Sequence, residues 1–354
     1  MSGLTTTGAT VFTGLDTMPK GLLLWRGILQ WLGGIGIIVV ARVFLPELRV
    51  GGMQIFRSEA FDTMGKILPR ATEIAAQISV IYCALTMTCL FTYMMLGMEA
   101  FDATVHALTT VSTGGFSTYD ASFSAFSGPL EYVAAVFMVL AALPFVRYVQ
   151  MVNGHRTALL RDKQVYGFVL VVVTLVAFTT LVLLAVFPHH WEKSFREAVF
   201  NITSIITGTG YASADYMAWG NLLVTVFFFT GLIGGCAGST ACSVKIFRYQ
   251  ILFASIKAQM RKTRSPNGVF VPRYDGRKIG DEALNSVMSF FVFFLGTLGL
   301  VSVLLGLTGL DFTTSVSGAA SALANIGPGL GDTIGPAGTF ADLNDTAKWV
   351  LSVA

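Results

Sequence analysis

Four short stretches of the sequence are rich in glycine and in hydroxyl side chains, and they carry no charge. They cover residues 5–10 (TTTGAT), 109–118 (TTVSTGGFST), 203–211 (TSIITGTGY) and 321–331 (SALANIGPGLG). Glycine adopts positive φ without a steric penalty, so such stretches can turn successive carbonyl groups toward one axis. Carbonyl oxygens can replace the hydration shell of a monovalent cation, whereas a divalent site favours carboxylates. The stretches therefore predict a neutral cation filter if they meet; the alternative is four packing loops without an ion.

The stretches recur along the chain at long intervals. Their reference glycines are Gly8, Gly114, Gly208 and Gly327, and the intervals are 106, 94 and 119 residues. A phenylalanine precedes the second and third of these glycines by 13 residues and the fourth by 15 residues (Phe101, Phe195 and Phe312). This degenerate repeat predicts a pseudo-fourfold arrangement about an axis along the membrane normal, with a central pore. The alternative is coincidence in a chain that has 37 glycines.

The composition indicates the setting in which these stretches must be held. Of the 354 residues, 54% are hydrophobic and 12% are charged, whereas soluble domains carry about 25% charge. Apolar runs of about 20 residues recur along the chain, as in transmembrane helices. No cleavable signal peptide is visible. The cysteines form no CxxC pair and are predicted to be core thiols (Cys83, Cys89, Cys236 and Cys242).

The predicted helices alternate between long spans and short re-entrant segments. Predicted spans cover residues 21–41, 74–98, 131–151, 165–187 and 284–307, and the short segments cover residues 101–112, 192–206 and 312–324. The apolar run 222–260 exceeds one membrane thickness and contains four glycines, so it predicts a broken helix. Asp275-Gly276 predicts a hairpin turn within a basic segment, residues 261–278.

The predicted fold class is an all-α polytopic membrane protein with four pseudo-fourfold membrane–pore-loop–membrane repeats around a central ion pore. The repeats cover residues 1–70, 71–160, 161–280 and 281–354, and the first and last are incomplete. We expect this chain to be cut from a longer parent at both ends. The first outer span and half-helix would then be missing, as would most of the last inner span.

Charge predicts the orientation of these elements. The side opposite the glycine-rich loops holds 18 of the 23 basic residues, and the loop side holds 12 of the 20 acidic residues. The positive-inside rule therefore places the loops outside the cell. A negative outer vestibule concentrates cations.

The four motifs TGAT, STGGF, TGTGY and NIGPG resemble the filter loops of the Trk/Ktr/HKT superfamily of potassium transporters. Residues 30–38 (QWLGGIGII), 51–59 (GGMQIFRSE) and 234–245 (GGCAGSTACSVK) resemble the TrkH-type pore subunit in particular. The resemblance covers essentially the whole chain. It implies a potassium-selective uptake pore in the bacterial inner membrane, built as a homodimer and gated from the cytoplasm by a TrkA-like nucleotide-binding ring.

The resemblance also implies site residues. The ion-coordinating backbone would belong to the two residues before each reference glycine: Thr6, Thr7, Ser112, Thr113, Ile206, Thr207, Asn325 and Ile326. A serine in place of Gly8 accompanies sodium transport in plant relatives, so glycine there favours potassium. The implied gate is an intramembrane loop of Gly234, Gly235, Cys236, Ala237, Gly238 and Ser239, and the alternative for it is a simple helix kink.

Several alternatives remain at this point. The basic segment 261–278 would either dock the regulatory ring or only obey the positive-inside rule. The runner-up function is a secondary transporter coupled to Na⁺ or H⁺, which would call for inverted repeats and a buried acid, and neither is visible. A third possibility is a non-conducting scaffold.

Other functional classes are not indicated. No nucleophile–base set, metal cluster or phosphate loop indicates an enzyme. K⁺ is expected as the transported ion, with no organic cofactor and no nucleic-acid partner. His106 is interpreted as a packing or hydrogen-bonding residue rather than a proton relay.

Overall fold

The fold is built almost entirely from helices. The computed structural model describes residues 1–43, 71–187 and 190–354. Residues 44–70, which include the GGMQIFRSE stretch of the first predicted repeat, and residues 188–189 therefore lie outside the described residues. The α-helices are α1 Lys20–Val43, α2 Ala71–Met95, α3 Ala100–Val111, α4 Pro129–Ala141, α5 Phe145–Val152, α6 Lys163–Val186, α7 Trp191–Thr207, α8 Asn221–Leu232, α9 Ile246–Arg264, α10 Asp281–Leu307, α11 Phe312–Ala324 and α12 Asp345–Val353. Two small sheets join β1 Ile233–Gly234 to β2 Val244–Lys245, and β3 Arg273–Tyr274 to β4 Arg277–Lys278.

Four helices of the described chain are long and apolar enough to cross a membrane by themselves. They are α1 over Lys20–Ile38, α2 over Glu73–Met95, α6 and α10. These match four of the predicted spans. Their outward faces expose large apolar side chains, among them Val80, Leu181 and Phe293. Such apolar surfaces suit contact with lipid. The backbone of a helix suits it as well, because a helix satisfies its own backbone polar groups.

The predicted span 131–151 is wrong as a single straight helix. It is divided into α4 and α5, whose axes differ by 86°. Pro144 explains the break, since proline has no backbone N–H and disfavours helical geometry in the residue before it. The freed backbone groups bond elsewhere: the Ala142 carbonyl accepts from Cys236 N at 3.0 Å, and Phe145 N donates to the Gly238 carbonyl at 2.9 Å.

The predicted break within residues 222–260 is confirmed. The helix ends at Leu232 and resumes at Ile246, and β1 and β2 pair in parallel where the chain leaves and returns. We call residues 235–243, which lie between these strands, the intramembrane loop. A methyl group on Gly234 would overlap the Cys242 carbonyl, so glycine is required for the return of the chain.

The three short helices share one packing arrangement. Helix α3 packs along α2, α7 along α6, and α11 along α10. Each short helix buries polar side chains. Helix α3, for example, buries Thr109, Thr110 and His106. The same outer-helix and short-helix pair thus recurs three times, and each pair delivers the end of its short helix to the interior.

The predicted hairpin in the basic segment is also confirmed. Strands β3 and β4 are antiparallel, and both turn residues have positive φ, 49° at Asp275 and 78° at Gly276. Two positive φ angles define the tight turn that Asp-Gly favours. The Asp275 carboxylate lies 3.4 Å from the Lys163 ammonium, which connects the hairpin to the start of α6.

Candidate functional site

The four glycine-rich stretches end their helical turns with the same backbone geometry. A left-handed residue occurs at Thr6 (φ 61°), Thr113 (51°), Gly208 (72°) and Asn325 (56°). Two residues later a glycine has positive φ: Gly8 (81°), Gly115 (74°), Gly210 (78°) and Gly327 (107°). We call these three-residue units loop 1 (residues 6–8), loop 2 (113–115), loop 3 (208–210) and loop 4 (325–327).

Backbone hydrogen bonds make the equivalence of the loops complete. The N–H of each left-handed residue donates to the carbonyl three residues earlier: Thr6 to Gly3 (3.3 Å), Thr113 to Thr110 (3.1 Å), Gly208 to Ile205 (3.0 Å) and Asn325 to Ala322 (3.2 Å). The next N–H donates to the carbonyl five residues before it: Thr7 to Ser2 (3.1 Å), Gly114 to Thr109 (2.8 Å), Thr209 to Ser204 (2.9 Å) and Ile326 to Ser321 (3.0 Å). This pair of bonds is the Schellman motif that closes a helix.

The structure shifts the register predicted for loops 2 and 3. Gly114 corresponds to Thr7 and Gly208 to Thr6, so the glycines equivalent to Gly8 and Gly327 are Gly115 and Gly210. Loops 2 and 3 each hold two glycines, and a glycine fits either left-handed position, so glycine alone does not fix the register.

The predicted coordinating pairs shift with the register. Thr6, Thr7, Asn325 and Ile326 keep their places, and so does Thr113. Ser112, Ile206 and Thr207 lie one or two residues before the left-handed residue, at the ends of α3 and α7. The backbone positions equivalent to Thr6 and Thr7 are Thr113 and Gly114 in loop 2, and Gly208 and Thr209 in loop 3.

The loops form a closed ring. A methyl group on Gly8 would overlap the Gly114 carbonyl, on Gly115 the Thr209 carbonyl, on Gly210 the Ile326 carbonyl, and on Gly327 the Thr7 carbonyl. Each loop therefore presents its glycine to one carbonyl of the next loop, and loop 4 returns to loop 1. The four carbonyls occupy equivalent positions, so the ring has pseudo-fourfold symmetry at the level of the backbone.

A cavity of about 70 Å³ opens where the chain leaves the loops. Its lining includes the glycines of all four loops, Gly8, Gly115, Gly210 and Gly327, together with Tyr119 and Asp120. Acidic side chains near the opening of this cavity accept hydrogen bonds from the protein. Asp120 accepts from Gly14 N at 2.8 Å, and Asp102 accepts from the Tyr119 hydroxyl at 3.0 Å, which raises the pKa of that phenol.

The intramembrane loop lies against the other side of the ring. Ser243 N donates to the Ala324 carbonyl at 2.8 Å, and Cys242 N donates to the Thr207 carbonyl at 3.4 Å. The Asn325 amide donates to Cys242 Sγ at 2.9 Å. The part of this loop that contacts the ring is thus residues 242–243.

The predicted gate residues occupy a neighbouring position. Cys236 and Gly238 bond to the bend between α4 and α5, and Ala237 N donates to the Gln164 side chain at 2.9 Å. Ser239 bonds within the loop, to the Cys236 carbonyl at 2.7 Å. These residues anchor the intramembrane loop, whereas its last residues approach the ring.

Sequence reasoning missed two side chains that support the ring. Gln30 of α1 is fully buried; its amide donates to the Gly114 carbonyl at 2.6 Å and its oxygen accepts from Phe116 N at 3.0 Å. Tyr211 is buried as well, and its hydroxyl bonds to Thr109 and Thr110 of α3. A glutamine inside an apolar span was the available signal, because polar groups at membrane depth need partners.

The expectation that the chain lacks a buried acid was wrong. Asp102, Glu131 and Asp162 are all at most 6% exposed. Asp102 and Glu131 lie in the first turns of α3 and α4, and Asp162 caps α6. Glu131 pairs with Arg196, and Asp162 with Arg147 at 2.6 Å. Helix N-termini and arginine partners stabilise these carboxylates in place.

Other candidate groups behave as structural side chains. His106 Nδ1 bonds to the Asp102 carbonyl and Nε2 to Ser117, which agrees with a hydrogen-bonding residue. The four cysteines are free thiols, but only Cys89 and Cys236 are buried. Among the described residues, no group of three His, Cys, Asp or Glu side chains could hold a metal ion.

Comparison with known proteins gives a consistent result. A family model described as TrkH, cation transport protein, matches residues 1–354. The Trk system potassium uptake protein TrkI of Halomonas elongata is 44% identical over 355 residues, which cover 100% of this chain and 72% of TrkI. The corresponding TrkH of Vibrio parahaemolyticus is 36% identical, with coverage of 100% and 74%. The crystal structure of the potassium transporter TrkH from Vibrio parahaemolyticus matches with a TM-score of 0.89 at 33% identity, over 99% of this chain and 73% of that one.

Proposed function

Because the chain belongs to the TrkH family of cation transport proteins, we propose that it conducts K⁺ inward through the ring of four loops. The observation that carries this proposal is the closed ring, in which the glycine of each loop meets a carbonyl of the next. The carbonyls of Thr7, Gly114, Thr209 and Ile326 form one layer of ligands. Those of Thr6, Thr113, Gly208 and Asn325 form a second. Neutral oxygens of this kind replace the hydration shell of a monovalent cation and still release it.

The electrostatics of the surrounding helices favour a cation at this place. Helices α3, α7 and α11 all end at the ring, so the partial negative charges of their C-termini converge there. The loops themselves hold no carboxylate, which suits a monovalent ion better than a divalent one. Acidic residues near the outer rim, among them Asp120, would raise the local cation concentration.

The intramembrane loop is proposed as the gate. It approaches the ring at Cys242 and Ser243, on the side opposite the outer cavity. Residues 234–239 anchor it to α4, α5 and α6, so a movement of these helices would displace it. A TrkA-like nucleotide-binding ring on the cytoplasmic side, docked near the basic segment 261–278, is the proposed source of that movement. The pore is proposed to work as a homodimer in the bacterial inner membrane.

Ion flux in liposomes tests this function. The purified protein is reconstituted, and K⁺ and Na⁺ influx are measured at equal inward gradients, with empty liposomes as the control. We expect K⁺ influx to exceed Na⁺ influx, and equal rates would contradict the filter.

The same preparation tests the runner-up mechanism. Imposing a Na⁺ or pH gradient at a fixed K⁺ gradient should leave the K⁺ influx unchanged once the membrane potential is clamped. A coupled transporter would instead respond to one of these gradients.

A further inference from the structure

Asn325 makes more side-chain contacts outside its own loop than the other residues at its position in the ring. Its amide nitrogen donates to the Thr5 carbonyl at 2.8 Å and lies 3.3 Å from the Thr6 hydroxyl, and its oxygen accepts from the Thr7 hydroxyl. The same amide nitrogen donates to Cys242 Sγ at 2.9 Å. One side chain of loop 4 therefore contacts both loop 1 and the intramembrane loop.

Of the equivalent residues, Thr6 belongs to the same junction, since its hydroxyl lies 3.3 Å from the Asn325 amide and 4.0 Å from Cys242 Sγ. The hydroxyl of Thr6 donates to the carbonyl of the residue before it, at 2.6 Å, and that of Thr113 does the same at 2.7 Å. Gly208 has no side chain. The direct backbone contacts between loops repeat four times, but side chains join the ring to Cys242 at the junction of loops 4 and 1, mainly through Asn325. This asymmetry cannot come from the backbone motif, because that motif is common to all four loops.

The intramembrane loop reaches the same corner of the ring through its backbone. Ser243 N and Ser243 Oγ both donate to the Ala324 carbonyl, at 2.8 and 3.0 Å, and Ala324 is the residue before Asn325. A displacement of residues 242–243 would therefore remove a donor from Ala324 and an acceptor from Asn325 together. The junction between loops 4 and 1 would lose these constraints, and the Thr207 carbonyl beside loop 3 would lose its 3.4 Å bond from Cys242 N. The bonds of Tyr211 to α3, between loops 2 and 3, would remain.

We infer that Asn325 is a positioning residue that makes the shape of the ring depend on the position of the intramembrane loop. This inference rests on the proposed function, since it assigns the ring to ion binding and the loop to gating. Coupling between two sites is reciprocal. A cation in the ring should thus change the position of the intramembrane loop, and displacement of the loop should change which cation the ring prefers.

Replacement of Asn325 by glycine isolates the side chain. Glycine accepts φ of 56° without strain, so N325G removes the bridge and leaves the left-handed backbone available. N325D is the second variant; its carboxylate can still accept from Thr7 but cannot donate to Thr5 or Cys242. N153G is the comparison, because it deletes another asparagine side chain, which lies outside the ring and bonds to Gln77.

The experiment measures how fast a charged methanethiosulfonate reagent modifies the thiol of Cys242 in the full protein. Mass spectrometry of the peptide that contains Cys242 separates this thiol from Cys83, Cys89 and Cys236. Rates are compared in saturating K⁺ and in a K⁺-free medium with an impermeant cation. Size-exclusion chromatography confirms that each variant is folded.

In the wild type we expect K⁺ to change the modification rate by about fivefold or more, the low end of measured couplings between sites. N325G and N325D should abolish this K⁺ dependence, and N153G should retain it. A K⁺ dependence that survives in either Asn325 variant overturns the inference, as does a wild-type rate that ignores K⁺. If the wild type shows the coupling but conducts K⁺ and Na⁺ equally in liposomes, the proposed selective function fails and the coupling stands.

Discussion

Two junctions of the ring differ in what holds them. Between loops 2 and 3, the buried aromatic side chain of Tyr211 packs against that of Phe123, with 5.2 Å between their centroids. The Tyr211 hydroxyl bonds to Thr109 of the neighbouring helix. Between loops 4 and 1, the polar side chain of Asn325 forms the bridge, through hydrogen bonds with the Thr5 carbonyl and the Thr7 hydroxyl.

This difference separates two tasks that one ring must perform. The backbone motif and the glycine contacts are common to all junctions, so they define where the ligands of a cation can lie. The side chains around them differ, so they decide how firmly each junction is held. A close-packed aromatic junction resists change, because interiors of this density have few alternative arrangements. The polar junction lacks this aromatic packing, and its side chains contact the intramembrane loop, which also reaches the Thr207 carbonyl beside loop 3.

The largest effect is expected from glycine substitutions at the two junctions. At Gly115, alanine would overlap the Thr209 carbonyl, and at Gly327 its methyl would lie 2.7 Å from the Thr7 carbonyl. Both positions have positive φ, which costs a further 1–2 kcal/mol or so. Because the first junction is firmly packed, G115A should abolish K⁺ uptake, and G327A should leave a measurable remainder.

Uptake by K⁺-starved cells that lack other K⁺ systems measures these rates, with expression checked in the membrane fraction. G154A is the control, since Gly154 has φ of 98° but no neighbour within 4 Å of an added methyl. It should retain most of the wild-type uptake. Equal loss in G115A and G327A would show that the two junctions are equally rigid.

Much of this arrangement follows from local sequence. Span lengths, the three short helices, the glycine break and the Asp275-Gly276 turn each depend on residues close in the chain, and each was predicted. The register of the loops was also encoded, in a hydroxyl residue six positions before the equivalent glycine: Ser2, Thr109, Ser204 and Ser321. Glycine frequency concealed this pattern, since two glycines in a loop offer two registers.

The supports of the ring could not be obtained in the same way. Gln30 and Gly114 are 84 residues apart, and Asn325 and Thr5 are 320 apart. No helical or turn preference connects such distant residues; only the packed arrangement of the helices does. For the same reason, the 86° bend at Pro144 was not predicted. The backbone groups that the bend frees, the Ala142 carbonyl and the Phe145 N–H, are satisfied by the distant intramembrane loop.

A smaller effect is expected when the buried side chain of Gln30 is removed. We call its two hydrogen bonds, to the Gly114 carbonyl and to Phe116 N, the clamp on loop 2. Leucine at Gln30 would leave the Gly114 carbonyl and Phe116 N without their partners. An unsatisfied buried group costs about 1–3 kcal/mol. Q30L should therefore lower the thermal unfolding temperature and reduce the K⁺-over-Na⁺ flux ratio, measured on the same preparation.

Q77L serves as the matched control for the clamp. Gln77 lies in α2 and accepts an exposed hydrogen bond from the Asn153 amide at 3.4 Å. Its replacement should change neither the unfolding temperature nor the flux ratio by much. If Q30L behaves like Q77L, the firmness of loop 2 does not depend on the buried clamp, and the contrast between the junctions rests on Tyr211 alone.

The smallest effect is expected from a pair of hydroxyl deletions that compare loops 3 and 4 directly. Ser204 Oγ donates to the Tyr211 carbonyl and Ser321 Oγ to the Gly327 carbonyl, each at 2.7 Å, from equivalent positions on α7 and α11. Each bond is worth about 0.5–1.5 kcal/mol. S204A and S321A should thus destabilise the protein to a similar degree in thermal unfolding.

The effects of these two variants on ion selectivity should differ, because Tyr211 stays fixed by its buried aromatic side chain, whereas Gly327 lies at the less constrained junction. We expect S321A to lower the K⁺-over-Na⁺ flux ratio about two- to threefold and S204A to leave it nearly unchanged, since a free-energy change of about 0.5 kcal/mol suffices for a twofold shift. The reverse order would place the adaptable side of the ring at loop 3.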